Sequence, residues 1–291
     1  MNKRKFQLCN GYLLEFDQLA RIMTVMAEHS EAKKITRQTL CETTGLMERH
    51  VATLVSMGSA MGLIVPVTQV LSPVGKLVVA NDVFIESRAS LEWCHYTGAG
   101  SYRNLVWFEV FNTLLPSGVS MTTKEWMDKL RHQLVGEYTE KALGKNLREE
   151  VRFVVDAYLN KNFRKLELLH RSGERIYVRR VIKLTSLVFA AMIYDYAFKS
   201  GVKLIQAADL LNKPGSSGLV FAMDEPTLRA HLEKLHEKGW LRYETTHNLN
   251  QVRLHDGFSA LSFLEGYFED KEPVPETSEK RVKKDRRDLF A

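Results

Sequence analysis

Eight basic residues crowd the stretch from Lys161 to Lys183: Lys161, Arg164, Lys165, Arg171, Arg175, Arg179, Arg180 and Lys183. Only Glu167 and Glu174 oppose them, so this segment alone carries a net charge of +6, as much as the whole chain. Guanidinium and ammonium groups at this density suit phosphate oxygens. Alternation along a strand would put Arg175, Tyr177 and Arg179 on one face and Ile176 and Val178 on the other. Arginines beside a tyrosine fit phosphate contact with base stacking. The competing reading is a solvated charged face. A second basic cluster spans Lys280, Arg281, Lys283, Lys284, Arg286 and Arg287.

Cutting DNA would call for carboxylates that hold a divalent metal, usually magnesium. Asp82 and Glu86 are candidate metal ligands, and Asp82, Glu86, Glu92 and His95 together are the candidate catalytic residues. Glu149, Glu150 and Asp156 form a second acidic group. No known nuclease spacing links any of them, and each also reads as a capping or surface carboxylate. Cys94 and His95 are adjacent, but neighbours in one element point apart, so His95 reads equally as a structural histidine. There is no Gly-x-x-x-x-Gly-Lys-Ser/Thr loop, Gly98-Ala99-Gly100 lacks a third glycine, and His231 to His236 is not a His-Glu-x-x-His helix.

Three elements are expected to position these groups. Leu19, Ile22, Met23 and Met26 share one helical face, a short helix runs from Arg37 to Thr43, and a third begins near Met47. Two β-prone stretches follow Gly62. Helix, helix-turn-helix and hairpin in that order predict a winged helix. The same order recurs from Leu184 to Phe268, with Asp224 as cap, Pro226 in the first turn and a hairpin from Trp240 to His255. The middle is a weaker echo, with a capping box at Thr122 to Glu125. The reading is therefore mainly α with small β-hairpins, in tandem winged helix-turn-helix units. The expected boundaries are 1–83, 84–183 with the basic hairpin, 184–270, and a disordered basic tail at 271–291. The third helices offer Arg49 with Glu48, His50, Thr53 and Ser56, and Arg229 and Lys234 with Thr227 and Lys238. Either helix reads as a DNA reader or as a scaffold.

The 291 residues are 45% hydrophobic and 26% charged, which fits a globular chain of two or three domains. Three cysteines at wide spacing argue against a disulfide framework. No apolar run reaches membrane length, and Gln7, Asn10, Gly11 and Glu15 break any signal-peptide core. A cytoplasmic protein is expected. The excess of positive charge, with pI about 9.1, permits nucleic-acid binding.

Three stretches carry a family resemblance: Ala80-Asn81-Asp82 through Tyr96, Trp107-Phe108 with Phe111-Asn112, and Lys213 through Phe221 continuing to Trp240 and Val252. In these the chain resembles a bacterial family long labelled as of unknown function, whose genes lie in DNA phosphorothioation clusters. It is similar to the Ssp-type component credited with nicking DNA. The family often opens with His-Glu-Thr-Phe, where this chain reads Phe6-Gln7-Leu8-Cys9-Asn10-Gly11-Tyr12. The resemblance implies a DNA-binding component that nicks one strand with magnesium to permit sulfur insertion. It also implies a cysteine desulfurase, an ATPase and an ATP-dependent sulfur-inserting enzyme as partners. The alternatives are a non-enzymatic winged-helix regulator or adaptor on DNA, and an interaction protein with no DNA role.

Overall fold

In the computed structural model, which describes residues 4–245 and 249–275, Leu19, Ile22, Met23 and Met26 become the buried face of α1 (Phe16–Glu28). The Thr36 hydroxyl caps α2 (Arg37–Thr44), and Gly45 closes it at φ 70°, a conformation that favours glycine. After α3 (Glu48–Ala60), β1 (Ile64–Val65) and β2 (Val70–Leu71) pair antiparallel. Ser72 then caps α4 (Pro73–Asp82), with proline in its first turn.

Next come α5 (Arg88–Gly100), α6 (Leu105–Glu109) running into a π-helical turn at Val110–Leu114, and β3 (Ser120–Thr122). The expected capping box opens α7 (Thr123–Leu134): Thr122 and Glu125 each accept from the other's backbone. α8 (Glu140–Leu159) follows and leads into β4 (Leu169–Gly173) and β5 (Ile176–Arg179). β5 is the central strand, in the order β3-β5-β4. Ahead of the hairpin, the basic segment begins as a 3-10 helix at Asn162–Leu166. Phe163 and Leu166 are both buried there, and a three-residue spacing eclipses side chains on a 3-10 turn.

The last stretch holds α9 (Ser186–Ser200), β6 (Leu204–Gln206), α10 (Ala207–Asn212), α11 (Ser217–Val220), α12 (Glu225–Glu237), β7 (Leu241–Glu244), β8 (Gln251–Leu254) and α13 (Ala260–Phe268). Asp224 accepts from the Thr227 amide and Gly239 stands at φ 69°, so the anticipated cap and stop of α12 are both present. The sheet order is β6-β8-β7, again with the last strand in the centre. The described residues are thus mainly helical, with three small antiparallel sheets.

The fold divides into two compact units. Unit 1 comprises Met1–Lys183 and Pro214–Met223; unit 2 comprises Leu184–Lys213 and Asp224–Ala291. The chain therefore passes between the units three times. Trp107, Phe111, Phe153, Tyr158 and Phe163 form an aromatic core in unit 1, and Tyr194, Trp240 and Phe263 do so in unit 2. No helix among the described residues is long and apolar enough to cross a membrane. The basic cluster from Lys280 to Arg287 lies outside the described residues.

Candidate nucleic-acid interface

Of the eight basic residues of the segment, Arg179 is buried, Lys161 is half-buried and the other six are exposed. Arg164 and Lys165 stand exposed on the 3-10 helix, and Arg171, Arg175, Arg180 and Lys183 are exposed on or beside the hairpin. Lys165 lies 3.3 Å from Glu86 and Lys161 lies 2.8 Å from Glu15. Among the described residues, no carboxylate pairs with Arg164, Arg171, Arg175, Arg180 or Lys183.

The expected facing of β5 is corrected. Tyr177 and Arg179 do share a face, but it is the inner one, at 3% and 2% exposure. Ile176 and Val178 point outward and are only partly covered. The register explains the choice: Met121 of β3 and Arg171 of β4 flank Tyr177, and the Tyr177 ring lies 5.6 Å from the buried Trp126 ring. Two large apolar rings outweigh the pattern of charge. Neither Tyr177 nor Arg179 can reach DNA from there.

Arg179 instead closes a buried polar network. Its guanidinium donates to Phe111 O (2.6 Å), Leu115 O (3.1 Å), Leu219 O (2.8 Å) and Val220 O (2.7 Å). Burial pushes its pKa down to about 9, still far enough above neutrality to keep it a cation. Beside it, Trp107 Nε1 donates to the Tyr158 hydroxyl at 2.9 Å. The Tyr158 hydroxyl donates to His95 Nδ1, and His95 Nε2 donates to Val220 O at 3.0 Å. This chain fixes a neutral tautomer, and burial holds the His95 pKa down at about 3. His95 is fully buried with both ring nitrogens committed, so it joins the core rather than a reaction.

The acidic candidates are also occupied. Asp82 accepts from the Glu86 and Ser87 amides at 2.9 Å each. Glu92 is buried against Arg88, 2.9 Å away. Asn162 donates to Phe84 O and Ile85 O, which brings the 3-10 helix, and with it Lys165, to the Asp82–Ser87 turn. The structure thus gathers Asp82, Glu86 and Lys165, while Glu92 and His95 lie on a helix whose face is buried. Among the described residues, no group of three or more His, Cys, Asp or Glu side chains could hold a metal ion. Of the two carboxylates expected to hold magnesium, Asp82 caps a turn and Glu86 pairs with Lys165.

Of the third helices, α3 is partly covered, with Glu48 and Arg49 still exposed. Lys5 donates to Ser56, Asn10 Nδ2 to Thr53 at 3.2 Å, and Arg49 to Asn10 O at 3.3 Å. The Tyr12 ring stacks on His50 at 4.5 Å. This amino-terminal segment is pinned by buried Phe6, Leu8 and Cys9, by Arg152 on Gly11 O at 3.1 Å, and by Glu150. The Glu150 carboxylate accepts from the Cys9 amide at 2.8 Å, and burial raises its pKa to about 7. Arg229 and Lys234 on α12 are exposed, but Arg229 pairs with Glu225 at 3.5 Å, and Glu233 and Glu237 share the surface. On the outer sheet face of unit 2, Arg242 and Arg253 are direct partners across β7 and β8, and both reach Glu244.

One basic array escaped the sequence reading. Lys141, Lys145, Arg148 and Arg152 of α8 are all exposed. They recur at i, i+4, i+7 and i+11, the mirror of the apolar phase Leu147, Val151, Val154 and Tyr158 that marks the helix. The charged phase of that periodicity was the available signal.

No curated protein matches this chain. Among solved structures, a magnesium ion-bound SspB crystal structure is similar at TM-score 0.72 and 16% identity, over 93% of this chain and 90% of that one. A second SspB crystal structure is similar at TM-score 0.70 and 16% identity, over 97% and 95%. This chain shares their fold. The model of a family described as protein of unknown function (DUF4007) matches residues 41–268, most of the chain, and the protein belongs to that family.

Proposed function

We propose that this protein is the DNA-binding component of a bacterial DNA phosphorothioation system. It works in the cytoplasm beside a cysteine desulfurase, an ATPase and an ATP-dependent sulfur-inserting enzyme. The observation that carries the reading is the likeness of fold to the SspB structures across nine-tenths of both chains. The motifs that resemble the Ssp-type component support it from the sequence side. The exposed cations Arg164, Arg171, Arg175, Arg180 and Lys183, which pair with no carboxylate among the described residues, supply the phosphate contacts, because a cation without a local carboxylate gains most from a polyanion.

Winged-helix architecture is part of the same proposal. Two sheets have the order first-last-middle strand, and in each the hairpin follows a helix pair, α7-α8 or α10-α12, which supports winged helices at 105–179 and, in unit 2, at 186–213 with 224–254. The order α1-α2-α3-β1-β2 supports a third at the amino terminus.

Magnesium and strand nicking come to this reading only through the relatives. Among the described residues no group of three or more His, Cys, Asp or Glu side chains converges on one point, and the proposal assigns neither a metal ligand nor a cutting step. Affinity for a 20-base-pair duplex across a salt series tests the binding. A steep negative slope of log affinity against log salt is expected, and affinity that ignores salt would refute the reading. Incubation of supercoiled plasmid with magnesium, with and without chelator, decides between a nickase and an adaptor that places the sulfur-transfer enzymes.

A further inference from the structure

We propose that α8 is the helix that docks on duplex DNA, laying Lys141, Lys145, Arg148 and Arg152 against the sugar-phosphate backbone. The inference rests on the DNA-binding reading above and names a surface within it. At 100° per residue these four positions fall within an arc of about 60°. All four are exposed, while Leu143, Leu147, Val151, Val154 and Tyr158 are buried.

The stripe opposes the helix's own stability. Lys141 with Lys145, Lys145 with Arg148, and Arg148 with Arg152 are like charges at i,i+4 or i,i+3, and each such pair disfavours the helix. Lys141 also sits in the first turn, where the helix dipole disfavours a cation. Relief from carboxylates is slight: among the described residues only Glu149 approaches, 4.0 Å from Lys145. A surface that concentrates one sign at a cost to its own fold is matched to a partner of the other sign.

The dimensions fit. Eleven residues of helix rise about 16 Å, and each DNA strand places a phosphate about every 3.4 Å of axis, so the stripe spans roughly five phosphate steps. The position in the chain fits too. α8 lies between α7 and the β4–β5 hairpin, the place of the helix that enters the major groove in winged helix-turn-helix domains. The rival helices are less suited. Residues 5–12 lie against Arg49, His50, Thr53 and Ser56 of α3, which leaves Arg49 as the one exposed cation of that helix among the described residues, and α12 interleaves Glu225, Glu233 and Glu237 with its cations.

The test compares full-length wild type with K141Q/K145Q/R148Q, using fluorescence anisotropy on a 20-base-pair duplex from 50 to 200 mM salt. Glutamine retains helix propensity, and Arg152 is left in place because it holds Gly11. A charge-matched variant, K33Q/K34Q/K76Q, removes three exposed lysines elsewhere. The α8 variant should flatten the slope of log affinity against log salt by about 1.8 to 2.7, for two or three contacts at about 0.9 each. Over that fourfold salt range wild type then loses roughly 12- to 40-fold more affinity than the variant. The matched variant should leave the slope near wild type. Equal flattening in both would reduce the effect to net charge and overturn the proposal, as would an unchanged slope in an α8 variant whose thermal melt matches wild type. Absence of salt-dependent binding in wild type itself would instead defeat the parent reading.

Discussion

Replacing Glu150 with glutamine should remove a pH slope from the folding stability. The folded-state pKa of this carboxyl is raised by burial from 4.5 to about 7. Below pH 4.5 both native and unfolded chains hold the proton. Between 4.5 and about 7 the native state keeps a proton that the unfolded state has released, so stability falls as pH rises through that window and stays lowered above it. At about 1.4 kcal/mol per pH unit, the change from pH 5 to pH 8 amounts to roughly 2.5 kcal/mol. Glutamine presents the same acceptor to the Cys9 amide, 2.8 Å from the carboxylate, and cannot ionise. Urea unfolding of both proteins at pH 5, 6, 7 and 8 gives the two stability curves. The difference, E150Q minus wild type, should grow by about 2.5 kcal/mol across the range, and it cancels every other titrating group common to both. Parallel curves, or a difference that shrinks as pH rises, would refute the assignment of a buried, high-pKa carboxyl under the amino-terminal segment.

Arg179→Met should destabilise the fold by about 3–5 kcal/mol, because Phe111 O and Leu115 O lose the guanidinium as donor while Leu219 O and Val220 O keep only the Ala222 amide and His95; urea unfolding reads this, and the salt slope of DNA binding should not move. A flattened slope in that variant would return Arg179 to the interface. R171A/R175A/R180A should do the opposite, flattening the slope by about 2 to 3 at about 0.9 per contact with an unchanged thermal melt. Asp82→Ala should cost about 1 kcal/mol of stability through loss of the acceptor for the Glu86 and Ser87 amides. If magnesium raises the stability of wild type but not of this variant, Asp82 is a metal ligand after all.

Local chemistry was legible in the sequence. The Asp224 cap, the Thr122–Glu125 capping box and the glycines at 45, 62 and 239 each act within a few residues of themselves, so the helices they bound could be read directly. The hairpin at 241–254 was legible for the same reason. What escaped depends on partners far along the chain. β3 is only three residues, and its pairing with β5 bridges more than fifty positions. Which face of β5 turns inward was decided by Trp126 and by carbonyls of the Phe111–Leu115 turn and the Leu219–Val220 segment, none of them near residues 175–180. Arg179 looked like a surface charge because arginine usually is one. Its burial follows from four carbonyls that a π-helical turn and a four-residue helix turn toward one point, which no spacing rule registers. Likewise α3 looked open until residues 5–12 were seen lying along it. The basic phase of α8 stands in the sequence at the same spacing as the apolar phase that marks the helix, but interleaved with Glu149, Glu150 and Asp156 it forms no run of charge.

The return of Pro214–Met223 to unit 1 has a consequence for dissection of the protein. A fragment ending at Lys183 would lack Val220 O as acceptor for His95, two of the four acceptors of Arg179, and the Gly215 amide that donates to Asn112 at 2.7 Å. Unit 2 cannot be excised as one contiguous gene segment either, since its two stretches flank that loop. The two units are therefore not interchangeable cassettes: recombination at Lys183 would leave both halves incomplete. Residues 214–223 supplied in trans as a synthetic peptide are the natural complement for such a fragment, and its recovery of a cooperative melt would measure how much of unit 1 depends on ten residues borrowed from later in the chain.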